Sequence, residues 1–259
     1  MRIIKNIIVA FSLYSRIPMP IFEWKEEDMK HNLVFLSFIG GVIGLVSYGL
    51  FMLFKLTDVP FMARVLLYAL VPLIITGGFH MDGYMDVEDA LKSYKSPEEK
   101  LEILKDPHIG AFAVIRLVIY GMIYLAFLSI IVSFENTEYL YLYFVIFFLS
   151  RALCAAYSLK LKHAKKSGML HMETEKTTNV DVGICIIEAV VALGFCAYIN
   201  IWGALVMALV CLAHFFFYKK CAYKEFGGVS GDTTGYSIVT LEEALVVAIA
   251  LLSIVMNLF

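Results

Sequence analysis

The chain is poor in charge. Only 17% of its 259 residues are Asp, Glu, Lys or Arg, while 61% are hydrophobic. Soluble domains carry about a quarter charged residues and about half apolar ones. Together with a mean hydropathy of +0.80, this excludes a water-soluble globule and indicates a polytopic membrane protein. An excess of either sign is also missing, since 21 Lys and Arg stand against 23 Asp and Glu. That balance leaves no electrostatic footprint for nucleic acid. Cysteine is sparse and odd in number. Cys154, Cys185, Cys196, Cys211 and Cys221 lack the paired spacing of a zinc site and give no disulfide framework. They read as small packing residues. No A-x-A-type cleavage site follows the first apolar stretch, so it makes a poor leader peptide. Its apolar residues at 3, 4, 7, 8 and 11 share one helical face, with Arg2, Lys5 and Asn6 off it. This pattern predicts a short interfacial helix that stops before Pro18 and Pro20. Internal repeats, low-complexity linkers and a G-x-x-x-x-G-K-[ST] phosphate loop are all absent. A single membrane domain over 1–259 is the simplest organisation.

What is present is a series of apolar runs, each near the ~20 residues needed to cross a bilayer. They fall at about 33–54, 61–79, 111–133, 139–159, 181–199, 202–218 and 241–259. The expected fold is therefore all-α, a bundle of about seven transmembrane helices plus the short N-terminal helix. Pro72 predicts a kink in the second span. Basic residues concentrate in alternate connections: the N-terminal region, 80–110, 160–180 and 219–240. By the positive-inside rule these are cytoplasmic, which puts the N-terminus inside and the C-terminus outside. The polar segments able to carry chemistry then share the cytoplasmic face, an arrangement that favours an enzyme acting at the membrane surface.

The densest of those segments is Thr76–Ala90, TGGFHMDGYMDVEDA. Gly77 and Gly78 break an apolar run, and His80, Asp82, Asp86, Glu88 and Asp89 follow. On a helix Asp82, Asp86 and Asp89 share one face, because residues three and four apart are neighbours. Like charges repel there, so the pattern expects a cation. Aspartate oxygens suit Mg²⁺. A solvated acidic helix start explains the same residues, since carboxylates favour the N-terminal dipole. Further on, Ser96-Pro97-Glu98-Glu99 predicts a helix with Ser96 as N-cap, Pro97 at its first position and Glu99 as capping-box partner. Glu98, Glu99 and Glu102 are then structural. Asp106, in KDPHIGAF, is either a turn carboxylate or a further ligand returning to the aspartate cluster.

Three other features bear on the site. Lys160–Lys166, KLKHAKK, is a topogenic basic loop or a phosphate contact. Arg151 and Arg116 lie inside spans, where they face either an anionic group in the bundle or the interface. Glu225–Gly235, EFGGVSGDTTG, is a Gly-rich loop in which Gly227, Gly228 and Gly231 free the backbone to approach a phosphate, with Asp232 and Thr233 beside them. His31, His171 and His214 have no local partner pattern.

Four stretches, in order, resemble one family, the cobalamin synthases (adenosylcobinamide-GDP ribazoletransferases). TGGFHMDGYMDVEDA resembles their GGxHxDGxxDxxD core. SRIPMP resembles their TRxPxP opening, KDPHIGAFAVIRL their RDxRxGxxGxxxL segment, and GGVSGDTTG their GGxTGDxxG loop. The departures are His108 in place of arginine, Pro107 of serine, Ala113 of glycine and Ser230 of threonine. The resemblance implies a prokaryotic cytoplasmic-membrane enzyme that joins adenosylcobinamide-GDP to α-ribazole or its 5′-phosphate and releases GMP, with Mg²⁺ as cofactor. It implies a metal set of Asp82, Asp86, Asp89 and Asp106, with Asp82 accepting the hydroxyl proton. It also implies a substrate set of His80, Arg151, Gly227, Gly228, Gly231, Asp232 and Thr233. Candidate partners are the two substrates, the lipid bilayer, other membrane-bound enzymes of cobamide assembly and a second copy of the chain.

Two other classes compete. A CDP-alcohol phosphotransferase also clusters aspartates in membrane helices, but its D-x-x-D-G-x-x-A-R pattern is absent, and the second Asp-rich motif of a prenyltransferase is not evident. A cation transporter would place acids at midplane depth, where Glu188 is the one acid read within a span.

Overall fold

A computed structural model describes residues 2–23, 26–134, 137–165, 168–175 and 177–258. Lys25, Glu135, Lys166 and Lys176, in the connections, and Phe259 at the end of the last apolar run, lie outside them. The architecture is all-α, and no strand occurs among the described residues. The helices are α1 (Arg2–Tyr14), α2 (Leu36–Leu56), α3 (Phe61–Thr76), α4 (Phe79–Lys92), α5 (Pro97–Ile103), α6 (Ala111–Ser133), α7 (Glu138–Lys160), α8 (Met169–Thr174), α9 (Asn179–Ile199), α10 (Ile201–Phe226) and α11 (Gly231–Met256).

Six helices are long and apolar enough to cross a bilayer: the segment ending in α2, then α6, α7, α9, α10 and α11. The seventh expected span differs. α3 has 16 residues, about 24 Å at 1.5 Å per residue, and α4 turns away from it by 93°. Gly77 and Gly78 make the corner, with φ of 65° and 80°, the left-handed region that glycine enters without a Cβ penalty. α3 is the apolar limb of this bent pair. α4 carries charge throughout and lies outside the spans.

The bundle is built around α7, most of whose residues are buried. α2 approaches it closely through Gly40 and Gly44, where a Cβ would strike the carbonyl oxygens of Phe147 and Phe144. This is the small-residue contact by which membrane helices associate. α11 meets α7 through polar rungs: Ser158 Oγ and Thr234 Oγ1 at 2.8 Å, Cys154 Sγ and Ser237 Oγ at 3.2 Å, then Ser150 Oγ donating to Glu242 Oε1 at 2.9 Å. Arg151 Nη1 donates to the same oxygen at 2.5 Å and to Phe147 O at 3.0 Å. Arg151 thus points into the bundle, onto the chain's own carboxylate.

Two expectations need correction. The last helix begins at Gly231, ten residues before the apolar run that marked it, so Gly231–Gly235 are helical and only Gly227–Ser230 form a loop. Glu188 is also not alone inside the spans, since Glu242 and Glu243 sit in the fourth turn of α11. Glu188 accepts a hydrogen bond from Ser37 Oγ at 2.9 Å.

Candidate active site

The site starts at the α3–α4 corner. α4 buries Tyr84, Val87 and Ala90 against its neighbours, which turns Asp82, Asp86 and Asp89 to the opposite face. Asp82 is exposed there, and Asp86 and Asp89 are half-buried. Asp89 lies against Gly110, where a Cβ would collide with both carboxylate oxygens. The KDPHIGAF segment therefore reaches the cluster through Gly110. Asp106 itself is exposed and accepts from His108, whose Nδ1 lies 2.6 Å from its Oδ1.

α11 crosses α4 where glycines allow it. A Cβ on Gly83 would stand 2.9 Å from Asp232 O, and one on Gly235 would stand 3.0 Å from His80 O. This contact sets Asp232 beside Asp82. Ser230 caps α11: Thr233 N donates to Ser230 Oγ at 3.2 Å, and Ser230 N donates to Thr233 Oγ1 at 2.8 Å. Thr233 is thereby buried as a cap residue, while Gly231 stays exposed at the helix N-terminus. Ahead of the cap, Gly227 ends α10 with φ of 72°. Gly228 passes so close to Lys162–Ala164 that any side chain would clash with their backbone. Val229 pairs with that segment, donating to Lys162 O at 2.8 Å and accepting from Ala164 N at 2.9 Å. The pairing brings the basic connection to the carboxylates.

The result is a cavity of about 290 Å³ whose walls include Asp82, Asp232, Gly231, Lys165, His163 and His171. Asp82 also borders a wider cleft of about 740 Å³, with Arg16, Gly77, Gly78 and Met85 among its walls. Arg16 arrives there because its N–H donates to Ile75 O at 2.7 Å and its side chain lies over Gly77. Asp82 thus stands at the junction of two clefts.

His163 and Lys165 belong to the basic stretch read as a topogenic loop or a phosphate contact, whereas His171 and Arg16 had no assigned role in the sequence. The basic loop and the SRIPMP stretch were the signals that could have found them. His80 points inward instead. It is buried, stacks on Tyr14 with ring centroids 6.3 Å apart, and lines a cavity of about 50 Å³ with Arg151 and Glu242. Its Nδ1 and Arg151 Nε have no partner there. That volume is enough for one or two waters.

The electrostatics of α4 bear on a metal. Burial first, and then the charges of Asp82, Asp232 and Asp89, push the Asp86 carboxyl up to about 6. Four carboxylates thus act on one another at one place, and a cation would relieve their repulsion. As the side chains stand, no three acidic, His or Cys groups among the described residues converge closely enough to hold an ion. The donor chemistry and charge suit a hard divalent cation, with side-chain rotation needed to close the set.

The sequence profile described as cobalamin-5-phosphate synthase matches residues 6–251. The chain belongs to that family. It is 36% identical over 249 residues to the adenosylcobinamide-GDP ribazoletransferase of Lachnoclostridium phytofermentans, covering 93% of this chain and 92% of the relative. It is 33% identical over 239 residues to the enzyme of that name from Clostridium botulinum strain Alaska E43, covering 92% and 94%. No solved structure is similar to it. The family match takes in both the α4 carboxylates and the start of α11, so the junction at Asp82 lies wholly within the shared region.

Proposed function

We propose that this multi-pass membrane protein is an adenosylcobinamide-GDP ribazoletransferase, joining adenosylcobinamide-GDP to α-ribazole or its 5′-phosphate. The observation that carries the reading, beside family membership, is Asp82 at the meeting of two clefts next to the N-terminus of α11. A ribose hydroxyl attacks the phosphorus attached to the corrinoid. A new O–P bond forms, the diphosphate bridge breaks, and GMP leaves with the bridging oxygen. Such transfers depend on positioning and charge neutralisation more than on covalent help from the protein.

Asp82 accepts the hydroxyl proton as the nucleophile attacks. The backbone N–H groups at Gly231 and Asp232, at the positive end of α11, take phosphate oxygens. Lys165 offsets charge on the same wall, and Arg16 meets an anionic group in the wider cleft. Asp82, Asp86, Asp89 and Asp232 are the residues that would hold Mg²⁺. When bound, it would neutralise diphosphate charge and stabilise the departing GMP. Asp106 stands apart with His108 and has no place in this set. The clustering of Lys and Arg at the end of the bundle that carries the site supports a cytoplasmic position for that end and for the N-terminus in a prokaryotic membrane, with the C-terminus outside.

The reading is tested by turnover. Purified protein in liposomes receives adenosylcobinamide-GDP with or without α-ribazole 5′-phosphate, and GMP and corrinoid product are followed. The expected result is GMP formed one-for-one with product, and only when both substrates are present. GMP released at the same rate without the riboside would make the protein a hydrolase instead.

A further inference from the structure

On the other side of α4, away from the aspartates, a second groove runs between α6 and α10 with α11 as its floor. Its cytoplasmic part, about 760 Å³, carries six cations, Lys92, Lys95, Lys100, Arg116, Lys220 and Lys224, against two carboxylates, Glu88 and Glu225. Those carboxylates are already engaged, Glu88 with Arg116 at 2.6 Å and Glu225 with Lys100 at 2.5 Å and Lys224 at 3.1 Å. Lys92, Lys95 and Lys220 make no ion pair among the described residues. Lys95 acts on the exposed Glu99 at longer range, and all three ammonium groups border the groove.

The groove does not stop at the surface. Glu88, Arg116, Phe217 and Tyr236 also line a cavity of about 440 Å³ that continues along the spans. Apolar side chains run along its walls from Ile119 and Ile123 on α6 to Val210 and Phe217 on α10, while Thr240 and Glu243 line its α11 side. Ile119, Ile123 and Phe217 are 41%, 37% and 52% exposed, so the cavity is open toward the bilayer. About one turn inward from Phe217 lies His214. It is 7% exposed, lines the same cavity, and its Nδ1 has no hydrogen-bond partner among the described residues. The order from outside inward is therefore cations, then the His214 imidazole, whose Nε2 lies 3.0 Å from Thr240 Oγ1, then a mainly apolar channel whose far end is about 21 Å below Lys224, taking 1.5 Å per residue along α10.

We infer that this groove is a binding site for an anionic glycerophospholipid. Lys92, Lys95 and Lys220 hold its phosphate, His214 meets the ester level, and one acyl chain lies between α6 and α10. The order of charge and apolarity selects this occupant. A soluble phosphate would leave the channel unused, and a zwitterionic lipid would leave the lysines uncompensated.

The test uses the full chain in nanodiscs of phosphatidylcholine, with a spin- or fluorophore-labelled phosphatidylglycerol as probe. Two variants attack different parts of the site. Lys92→Gln, Lys95→Gln and Lys220→Gln are combined in one, and Ala213→Trp fills the channel in the other. A control combines Lys160→Gln, Lys162→Gln and Lys219→Gln, removing equal charge elsewhere on the same face. The expected result is probe affinity weakened tenfold or more in both site variants, whichever of them folds, and less than twofold in the control. Glycerol 3-phosphate should fail to displace the probe. Equal losses in the control, wild-type affinity in a folded site variant, or full displacement by glycerol 3-phosphate would each overturn the inference.

Discussion

Arg151 and Glu242 show how a single pair governs the interior. Both are almost wholly buried, at 2% and 6% side-chain exposure. Removing one partner strands the other charge in a dry place, at a cost of about 3–5 kcal/mol, whereas replacing both with apolar residues costs far less. Arg151→Met and Glu242→Leu should each destabilise the protein strongly, and the double substitution should be milder than either single one. Denaturant titration in micelles gives all corners of that cycle, and simple additivity would contradict the pairing. Glu173 offers a pH-dependent counterpart. Tyr14 Oη donates to it at 2.6 Å, and its other oxygen has no partner. Burial holds its carboxyl up at about 7, against that hydrogen bond, where an ordinary Glu ionises near 4.3. A raised folded-state value means stability that is complete below about 4.3 and lost as pH rises through about 7. Melting temperature should therefore fall between about pH 4 and pH 7, and Glu173→Gln should flatten that decline. An unchanged slope in the variant would assign the effect elsewhere.

The elements were legible in the sequence to different degrees, for identifiable reasons. The start of α5 was readable to the residue because its signal is local. Ser96 accepts from Glu99 N, Glu99 returns the bond, and Pro97 opens the helix. The α3–α4 corner was readable as a break from Gly77 and Gly78, though its 93° turn was not. The start of α11 was missed because hydropathy registers composition. GDTTGYSIVT is polar, yet Thr234 and Ser237 turn their hydroxyls onto α7. Glu242 was missed because its partner stands 91 residues away. At the site, the i, i+4, i+7 aspartates were plain, but nothing in one sequence places Asp232 beside Asp82. Gly83 makes that juxtaposition, and Gly83→Ala tests it. With Asp232 backbone at 2.9 Å the helices must shift, at a cost of about 1–3 kcal/mol. The expected result is a protein that folds, melts lower and loses most of its turnover. Activity equal to wild type would show that the close crossing is dispensable.

At the scale of the whole molecule, the spans alternate so that α4, the 160–175 segment and the α10–α11 loop meet at one end of the bundle. α1 joins them there through Tyr14, whose ring lies 5.5 Å from that of Phe79, and Arg16 then enters the wider cleft. The catalytic reading needs that convergence, because its residues come from segments separated by most of the chain. It also gives the two faces of α4 separate duties: Asp82 toward the two clefts that meet beside it, and Tyr84 and Glu88 toward the basic groove and its inward continuation. The measurement that tests this account most directly is GMP release by Asp82→Asn, with wild type alongside, both substrates saturating, and substrate binding measured separately. The account predicts a kcat lower by about 10²–10⁴, with affinity for adenosylcobinamide-GDP kept within a few-fold. Wild-type kcat in a folded Asp82→Asn protein would contradict it and move the reacting centre away from the junction of the two clefts.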